Sequence, residues 1–373
     1  MIFDMSNSEF ENFFKDEKLF LPICWDGYDF LCTLKNLFDY YIKKFDHLLN
    51  NGYIHVNIEE VEKACSLLSE AVGHYLNGFP SKAYSVFKES MSIFEKKPLI
   101  IYQKSVTEQF EDRRNYRSND DSLKLFRVTS VSDNRPYGRE RVFHTPYNLR
   151  SKVSTSRYSI AGYPSLYLGT SLDLCCEEIH LNPHQDFALA SIFKLERTEA
   201  RSSTKIRVIE LGVKPQDFLN IETYDERDKR RIDNSLLENS SVRAAYLLWY
   251  PLIAACSYIR VNKKDPFAAE YIIPQLLMQW VRCKMGSLPD IENENNQLIG
   301  IRYFSCASQK ASEMGFNYVF PTSGKQKSPD LPYCSVLTKS FYLSSPVDVH
   351  EFEHLYECEQ YLRKKEDFDS IGS

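Results

Sequence analysis

Between residues 157 and 179 the chain reads RYSIAGYPSLYLGTS followed by LDLCCEEI. The Gly-Tyr-Pro step at 162–164 predicts a turn, and residues 165–168 predict a short strand directly after it. Ser171 is placed to cap a helix whose first two turns cover residues 172–179. The stretch therefore predicts a strand that leads into a helix start, with an arginine, tyrosines, hydroxyls and two glutamates close together.

The chain before this stretch is predicted to be mostly helical. Apolar residues recur there at three- and four-residue steps in two runs: Val61, Ala64, Leu68, Val72 and Tyr75, then Ala83, Phe87, Met91 and Phe94. This spacing places each run on one face of a helix, and the Asn-Gly-Phe-Pro sequence at 77–80 separates the two. A helical hairpin is predicted, with a role in packing or in self-association with a second copy of the chain.

The helical spacing of apolar residues gives way to short apolar stretches after the polar segment 115–122, and we place a domain boundary in this segment. Short apolar stretches then predict strands at 125–128, 165–168, 187–193, 205–211 and 318–320, and helices at 244–259 and 270–282. Strands and helices without regular alternation indicate an α+β fold. We predict a helical N-terminal domain at 1–118 and a mixed domain at 119–373, whose charged tail at 347–365 is helical.

Bulk composition excludes several classes of protein. A formal net charge of −5 and a pI near 6.0 argue against a nucleic-acid partner bound through phosphate neutralisation. Ten cysteines without a Cys-x-x-Cys pair indicate reduced thiols rather than a zinc knuckle. The apolar run 244–259 is short for a membrane span and contains Pro251, and the N-terminus has no secretory pattern. We expect a cytoplasmic protein without a membrane partner.

Two arginines are candidates for holding an anion. Arg127 lies in an apolar strand, where a charge is costly unless a carboxylate or a bound phosphate meets it. Arg157 precedes the 162–164 turn, where a guanidinium can hold a pyrophosphate through paired hydrogen bonds. A structural ion pair at Arg127 and simple exposure of Arg157 are the alternative interpretations.

Acidic and aromatic residues complete the candidate set. One glutamate of the Glu177–Glu178 pair can face a pocket while the other faces solvent, although adjacent helical glutamates are usually surface charge. Tyr158 and Tyr167 can stack on a heteroaromatic ring or serve as packing residues. Ser305 follows an apolar segment without a Gly-x-Ser-x-Gly elbow, which argues against a hydrolase nucleophile.

Two histidine patterns resemble motifs of other functions, a zinc site and an RNA nuclease. Residues 350–354 read HEFEH and match the His-Glu-x-x-His zinc signature, but they lie in the charged tail without a third histidine, so we favour a solvated helix face and predict no metal site. Residues 139–144 fit the Arg-x-x-x-x-His spacing of certain RNA nucleases, but they fall in a predicted loop.

Several of these pieces, taken in order, resemble the RES domain, a family named for its arginine, glutamate and serine. They are the segments 126–128, 157–159, 166–168, 171–179, 271–276, 300–305 and 317–320. The resemblance covers residues 120 to 325, and the N-terminal helices are similar to extensions found on larger members. The family's usual Gly-Arg-Trp-Asn-like turn is here Ser-Arg-Tyr-Ser at 156–159.

The resemblance implies an ADP-ribosyltransferase-like fold, with NAD as the substrate and no separate cofactor. Many members of the family are bacterial toxins that an antitoxin inhibits, and the same resemblance implies a role in anti-phage defence. The three signature positions fall on Arg127, Glu178 and Ser305, with Glu177 as the fallback for the acid. Arg157 and Tyr167 match a second arginine and a tyrosine of the pocket.

The resemblance also implies a division of roles for cleavage of the nicotinamide–ribose bond. Glu178 would stabilise an oxocarbenium-like state, and the arginines would hold the pyrophosphate. Tyrosines, including Tyr158, would stack on a ring of the substrate. Ser159 would be a further substrate-binding residue, and Ser305 would orient a substrate group. Water, phosphate or a macromolecule can accept the ADP-ribose, which leaves glycohydrolase, phosphorylase and ADP-ribosyltransferase open. A non-enzymatic interaction protein with a degenerate nucleotide pocket is the alternative.

Overall fold

The computed structural model describes residues 7–49, 57–97, 100–102, 124–133, 135–183, 185–195, 205–218, 240–286, 297–322 and 332–371. The helices in these ranges are α1 (Asn7–Phe14), α2 (Phe30–Leu49), α3 (Ile58–Leu76), α4 (Pro80–Phe94), α5 (Leu172–Ile179), α6 (Ser240–Ala255), α7 (Ile272–Gly286), α8 (Ser335–Ser340) and α9 (Leu355–Arg363). The strands are β1 (Ile100–Tyr102), β2 (Lys124–Ser130), β3 (Ser165–Gly169), β4 (Ala188–Leu195), β5 (Lys205–Leu211), β6 (Gln297–Phe304), β7 (Phe316–Pro321), β8 (Phe341–Ser344), β9 (Val347–Asp348) and β10 (Phe368–Asp369).

These strands form one mixed sheet in the order β1-β5-β6-β7-β3-β2-β4-β8-β10, with β9 beside β4. The pair β5–β6 is parallel, and the other pairs with a described register are antiparallel. Helices precede the sheet and interrupt it irregularly rather than alternating with its strands. The predicted α+β class with a helical N-terminus is therefore confirmed. The strands predicted at 125–128, 165–168, 187–193, 205–211 and 318–320 correspond to β2, β3, β4, β5 and β7, and the helices predicted at 244–259 and 270–282 correspond to α6, which ends at Ala255, and α7.

The chain divides into two compact units, and this division differs from the predicted one. Residues 1–100 and 213–280 form one unit, and residues 101–212 and 281–373 form the other. The predicted boundary stretch 115–122 lies outside the described residues. The prediction of a single cut at 118/119 is corrected because the long crossover between the parallel strands β5 and β6 joins the N-terminal helices.

Aromatic rings explain why the crossover joins the N-terminal helices. The helix α6 is apolar on all sides, and its described residues from Arg243 onward are buried. Tyr41 donates a hydrogen bond to the carbonyl of Leu247 at 2.7 Å, and its ring lies 4.5 Å from that of Tyr250. A helix that is apolar all round needs cover on every face, and the first four helices help to provide it.

The predicted hairpin is present as α3 and α4. The side chain of Asn57 caps α3 by accepting a hydrogen bond from the backbone N–H of Glu59, and Pro80 begins α4. The predicted apolar faces are buried, except that Tyr75 is half-buried. The hairpin therefore packs within its own unit, in line with the packing role that the sequence predicts for it.

In the second unit, apolar clusters cover both faces of the sheet. One contains Leu166, Leu168, Tyr318 and Phe320. The other contains Phe126, Leu172 and Cys176, and α5 and α9 contribute to it. Alternation along β2 and β4 accounts for the two clusters, because successive side chains of a strand point to opposite faces: Leu125 and Phe193 belong to the first cluster, and Phe126 and Ile192 to the second.

The C-terminal tail differs from the prediction of a continuous helix over 347–365. It begins with β9, passes through a short 3-10 turn at Val349–Glu351, and becomes α-helical only at Leu355. Pairing of β9 with β4 explains the difference, because backbone that adds a strand to a sheet edge cannot also be helical.

Candidate functional site

The helix α5 positions the acidic pair and begins where the sequence predicts. Ser171 accepts a hydrogen bond from the backbone N–H of Leu174 at 3.2 Å, which satisfies one of the exposed donors of the first turn. The helix packs tightly against the end of β3, since a Cβ on Gly169 would lie 2.8 Å from the sulfur of Cys175. Only glycine allows this approach without displacement of the helix.

Glu178 is the acid that contacts the sheet. Its Oε1 accepts a hydrogen bond of 2.5 Å from Nδ2 of Asn317, which is 4% exposed on β7. Among the described residues, the side chain of Glu177 takes part in no hydrogen bond or ion pair. The contact fixes the Glu178 carboxylate over the sheet and distinguishes it from Glu177, and the choice of Glu178 as the catalytic acid stays a prediction.

Register places Tyr167, Tyr303 and Asn317 on the same face of the sheet. Asn317 is the direct partner of Tyr303 on β6 and of Gly169 on β3, and Tyr167 precedes Gly169 by two residues. Burial raises the pKa of Tyr303 well above its ordinary value, and the nearby charge of Glu178 raises it further. Tyr303 is therefore a neutral phenol beside the Glu178 carboxylate.

The 156–159 turn supports Tyr167 from one side. The hydroxyl of Tyr167 is hydrogen bonded to Oγ of Ser156 at 2.8 Å and to Oγ of Ser159 at 2.7 Å. The ring of Tyr158 is buried against Tyr303, with centroids 4.7 Å apart. Ser159 thus positions Tyr167, and Tyr158 packs beneath the site in this structure instead of presenting a free face.

Arg157 belongs to the same cluster. Arg157 is only 8% exposed, and the positive charge of its guanidinium partly opposes the rise in the pKa of Tyr303. The exposed arginine of the alternative interpretation is therefore not what the structure contains. A buried guanidinium close enough to affect the pKa of Tyr303 places positive charge within this cluster.

Arg127 lies where two strands separate. β2 and β3 share one described register position, Phe126 with Gly169, whereas β2 pairs with β4 along its whole length. Nη1 of Arg127 donates a hydrogen bond of 3.0 Å to the carbonyl of Tyr167 across this opening. Its Nε is buried without a hydrogen-bond partner, and no carboxylate of the described residues pairs with it.

This environment makes Arg127 a candidate for anion binding. Burial lowers the pKa of its guanidinium to about 10, which still leaves it charged at neutral pH. The structural ion pair of the alternative interpretation is not found within the described part of the chain. A buried N–H without a partner costs free energy that an incoming phosphate oxygen would offset.

Ser305 is separated from these contacts. It follows β6 and is fully buried, and its Oγ accepts a hydrogen bond of 3.1 Å from the backbone N–H of Ala307. Among the described residues, no hydrogen bond links it to Arg127 or Glu178. The structure therefore gives Ser305 a role in shaping the turn after β6, two residues from Tyr303.

The sequence did not single out two residues of this site, Asn317 and Tyr303. Asn317 is a buried amide in the apolar strand FNYVF, and a polar side chain at such a position requires a partner. Tyr303 could have been selected only if the β6–β7 register were known, because the sequence around it does not distinguish it from the other tyrosines of the chain.

His144, the histidine of the predicted nuclease spacing, is a buried structural residue near Arg127. Its Nε2 accepts a hydrogen bond of 2.9 Å from the backbone N–H of Cys334, and its Nδ1 bonds the carbonyl of Thr145 at 2.9 Å. Burial lowers the pKa of His144 from 6.5 to about 4, and the charge of Arg127 contributes. Because the ring of His144 is neutral and both of its nitrogens are hydrogen bonded to the backbone, His144 is not suited to general acid–base catalysis on RNA.

Stability is expected to fall as the pH decreases from 6.5 to 4. In that window the unfolded chain binds a proton at His144 and the folded chain does not, so the free energy of unfolding loses up to about 3 kcal/mol. Urea unfolding at several pH values measures the slope. A His144→Gln variant retains a hydrogen-bond acceptor without titrating and should show a flatter profile, and an unchanged slope in that variant would contradict the expectation.

Neither a metal cluster nor a membrane helix was found among the described residues. No group of three or more histidine, cysteine, aspartate or glutamate side chains there is arranged to hold a metal ion. His350 lies in the 3-10 turn and His354 precedes α9, so the two histidines do not share one helix. In the ranges that the structure covers, every helix is too short or too polar to cross a bilayer.

A groove of about 500 Å³ lies in the other unit, between α2 and α3. Its lining includes Lys35, Phe38, Asp39 and Glu70, and it contains none of the predicted site residues. The chemistry-bearing cluster and this groove are therefore separate features of the chain.

Comparison with known proteins gives one informative relative. A protein of Bacillus subtilis (strain 168) named "Putative toxin YopC" is 29% identical over 353 residues, which cover 90% of this chain and 70% of that protein. No family model matches the chain, and no solved structure matches it. Similarity over most of the length to a protein with this name supports a toxin-like role.

Proposed function

We propose that the chain is an NAD-consuming enzyme of the toxin type, which cleaves the bond between nicotinamide and ribose. The observation that carries the proposal is the Glu178 carboxylate held by buried Asn317 beside Tyr303, whose surroundings also include the charge of Arg157. Arg127, which has a buried N–H without a partner, reaches the backbone carbonyl of Tyr167 on β3. The ordered RES-like segments and the toxin-named relative add support.

The chemistry requires a negative charge near the ribose and positive charge near the pyrophosphate. When the C1′–N bond breaks, its electron pair neutralises the pyridinium of nicotinamide, and positive charge develops on the ribose. Glu178 would stabilise that charge and accept a hydrogen bond from a ribose hydroxyl. Arg127 and Arg157 would hold the pyrophosphate, and Tyr167 would pack against a ring of the dinucleotide.

Water attack at C1′ completes hydrolysis and gives ADP-ribose, nicotinamide and one proton. Attack by inorganic phosphate at C1′ gives ADP-ribose phosphorylated at that carbon, which is the phosphorylated sugar. Attack by a side chain of another protein gives an ADP-ribosylated product. We favour water or phosphate as the acceptor. A toxin of this kind also requires a protein that holds it off, so an antitoxin is the proposed partner.

Nicotinamide release tests the proposal. Purified protein is incubated with NAD in phosphate-free buffer, in phosphate buffer and with a cell extract, and the products are separated by chromatography. We expect nicotinamide with ADP-ribose in the first buffer or the phosphorylated sugar in the second. Release only in the extract, with labelled protein, would instead identify a transferase. NAD binding without release in any condition would contradict the enzyme and favour an interaction protein.

A further inference from the structure

Two arginines flank Tyr163 at the turn before β3. Nε of Arg282 donates a hydrogen bond of 2.5 Å to the hydroxyl of Tyr163, and its guanidinium carbon lies 5.5 Å from the ring centroid. The guanidinium carbon of Arg150 lies 5.7 Å from the same ring and 4.9 Å from the ring of Tyr147. All four residues belong to the second unit.

Within the described part of the chain, neither guanidinium is paired with an acid. In the described ranges no carboxylate forms an ion pair with Arg150 or Arg282, and the side chain of Arg150 donates no hydrogen bond to a described group. Other arginines of this unit do have acids: Arg139 with Asp367, Arg302 with Glu210, and Arg363 with Glu359. In a chain with a net charge of −5, two partly buried arginines without carboxylates form an unbalanced positive site.

Two buried hydroxyls lie in the chain segments around this cluster. The hydroxyl of Tyr163 donates to the carbonyl of Thr322 at 3.0 Å, and the backbone N–H of Thr322 bonds the carbonyl of Pro164. The side-chain oxygens of Thr322 and of Ser165, two residues after Tyr163, are buried without a hydrogen-bond partner. Buried hydroxyls normally find partners, so these two add polar capacity that the described protein groups do not use.

We propose that Arg150 and Arg282, arranged around Tyr163, bind a phosphate group at a site distinct from the Glu178 pocket. The planar guanidinium is the side chain best suited to phosphate oxygens, and stacking on aromatic rings fixes it in advance. Tyr163 precedes Tyr167 by four residues, which is roughly 13 Å along an extended chain. The phosphate is therefore either free inorganic phosphate or a phosphate carried on a different part of the substrate that the proposed function assigns.

Phosphate binding is measured by titration calorimetry at constant ionic strength, with inorganic phosphate as the probe. We expect saturable binding that weakens at least tenfold in Arg150→Gln and in Arg282→Gln. Arg135→Gln is the matched control, because Arg135 also lies over a tyrosine ring, at 4.9 Å from Tyr137, but has Asp133 as an ion-pair partner. Its binding should equal that of the unmodified protein.

A second pair of titrations identifies the source of the phosphate. NADP that binds more tightly than NAD, with the difference lost in the two variants, would assign the site to a phosphorylated dinucleotide. Equal binding of the two dinucleotides beside saturable phosphate binding would assign it to free phosphate. These readouts do not depend on NAD cleavage, so a protein without turnover still tests the site.

Folding controls keep the result decisive. Arg150→Lys and Arg282→Lys retain a cation over the ring but lose the planar fork, so they are expected to fold and to bind phosphate more weakly. Absence of saturable phosphate binding in the unmodified protein, or equal binding in all four variants, would overturn the proposal. The cluster would then serve packing alone.

Discussion

Glu178→Gln is expected to lower the rate of nicotinamide release from NAD by about 100- to 1000-fold, with NAD affinity nearly unchanged. Glutamine keeps the shape of the side chain and an oxygen that accepts the hydrogen bond from Asn317. It removes the negative charge that would oppose the developing charge on the ribose, and loss of one such electrostatic group costs this much in comparable sites. The effect should appear in the turnover rate and only weakly in binding, because the charge acts mainly in the transition state.

Glu177→Gln is the matched control for this prediction. The two residues are neighbours on α5 and undergo the same chemical change, but only Glu178 contacts Asn317. We expect the Glu177 variant to retain turnover within about twofold, as for a surface substitution without a functional contact. Equal losses in both variants, or a Glu178 variant with normal turnover, would remove Glu178 from the proposed role. Thermal unfolding of each variant shows whether the fold is retained.

Local sequence was sufficient for most of the elements that carry the site, although β6, which holds Tyr303, was not predicted as a strand. The cap at Ser171 predicted where α5 begins and a helix over residues 172–179, which the structure contains as the whole of α5. The strand candidates fall on β2, β3, β4, β5 and β7, because a continuous apolar run bounded by polar residues is typical of a strand in the middle of a sheet. Fold class followed from the order of these elements.

Long-range pairing could not be predicted from one sequence. Glu178 and Asn317 are 139 residues apart, and their contact depends on the register of β3 with β7. The opening at Arg127 likewise depends on β2 leaving β3 after one shared position. Each strand alone is compatible with many registers, and the choice is made by the packing of the whole sheet. The assignment of residues 213–280 to the N-terminal unit has the same origin.

Glu210→Leu is expected to destabilise the protein by about 3–5 kcal/mol, the usual cost of leaving a buried charge without its partner. Nη1 of Arg302 donates to Oε2 of Glu210, and the two side chains are 0% and 2% exposed. The Arg302 guanidinium also stacks over the ring of Phe316 at 3.6 Å, so it cannot reach solvent without disrupting the sheet. Chemical denaturation measures the loss.

The double variant Glu210→Leu/Arg302→Met distinguishes this explanation from a simple packing defect. Removing both charges leaves neither group uncompensated, so the double variant should be more stable than Glu210→Leu, although it carries one more core substitution. Arg135→Gln, which removes an exposed pair with Asp133, should change stability little. If the double variant is less stable than the single one, the loss comes from packing, and the buried pair does not account for the stability of this face of the sheet. Because Arg302 directly precedes Tyr303 on β6, recovery of the fold in the double variant should also restore the position of Tyr303 beside Glu178.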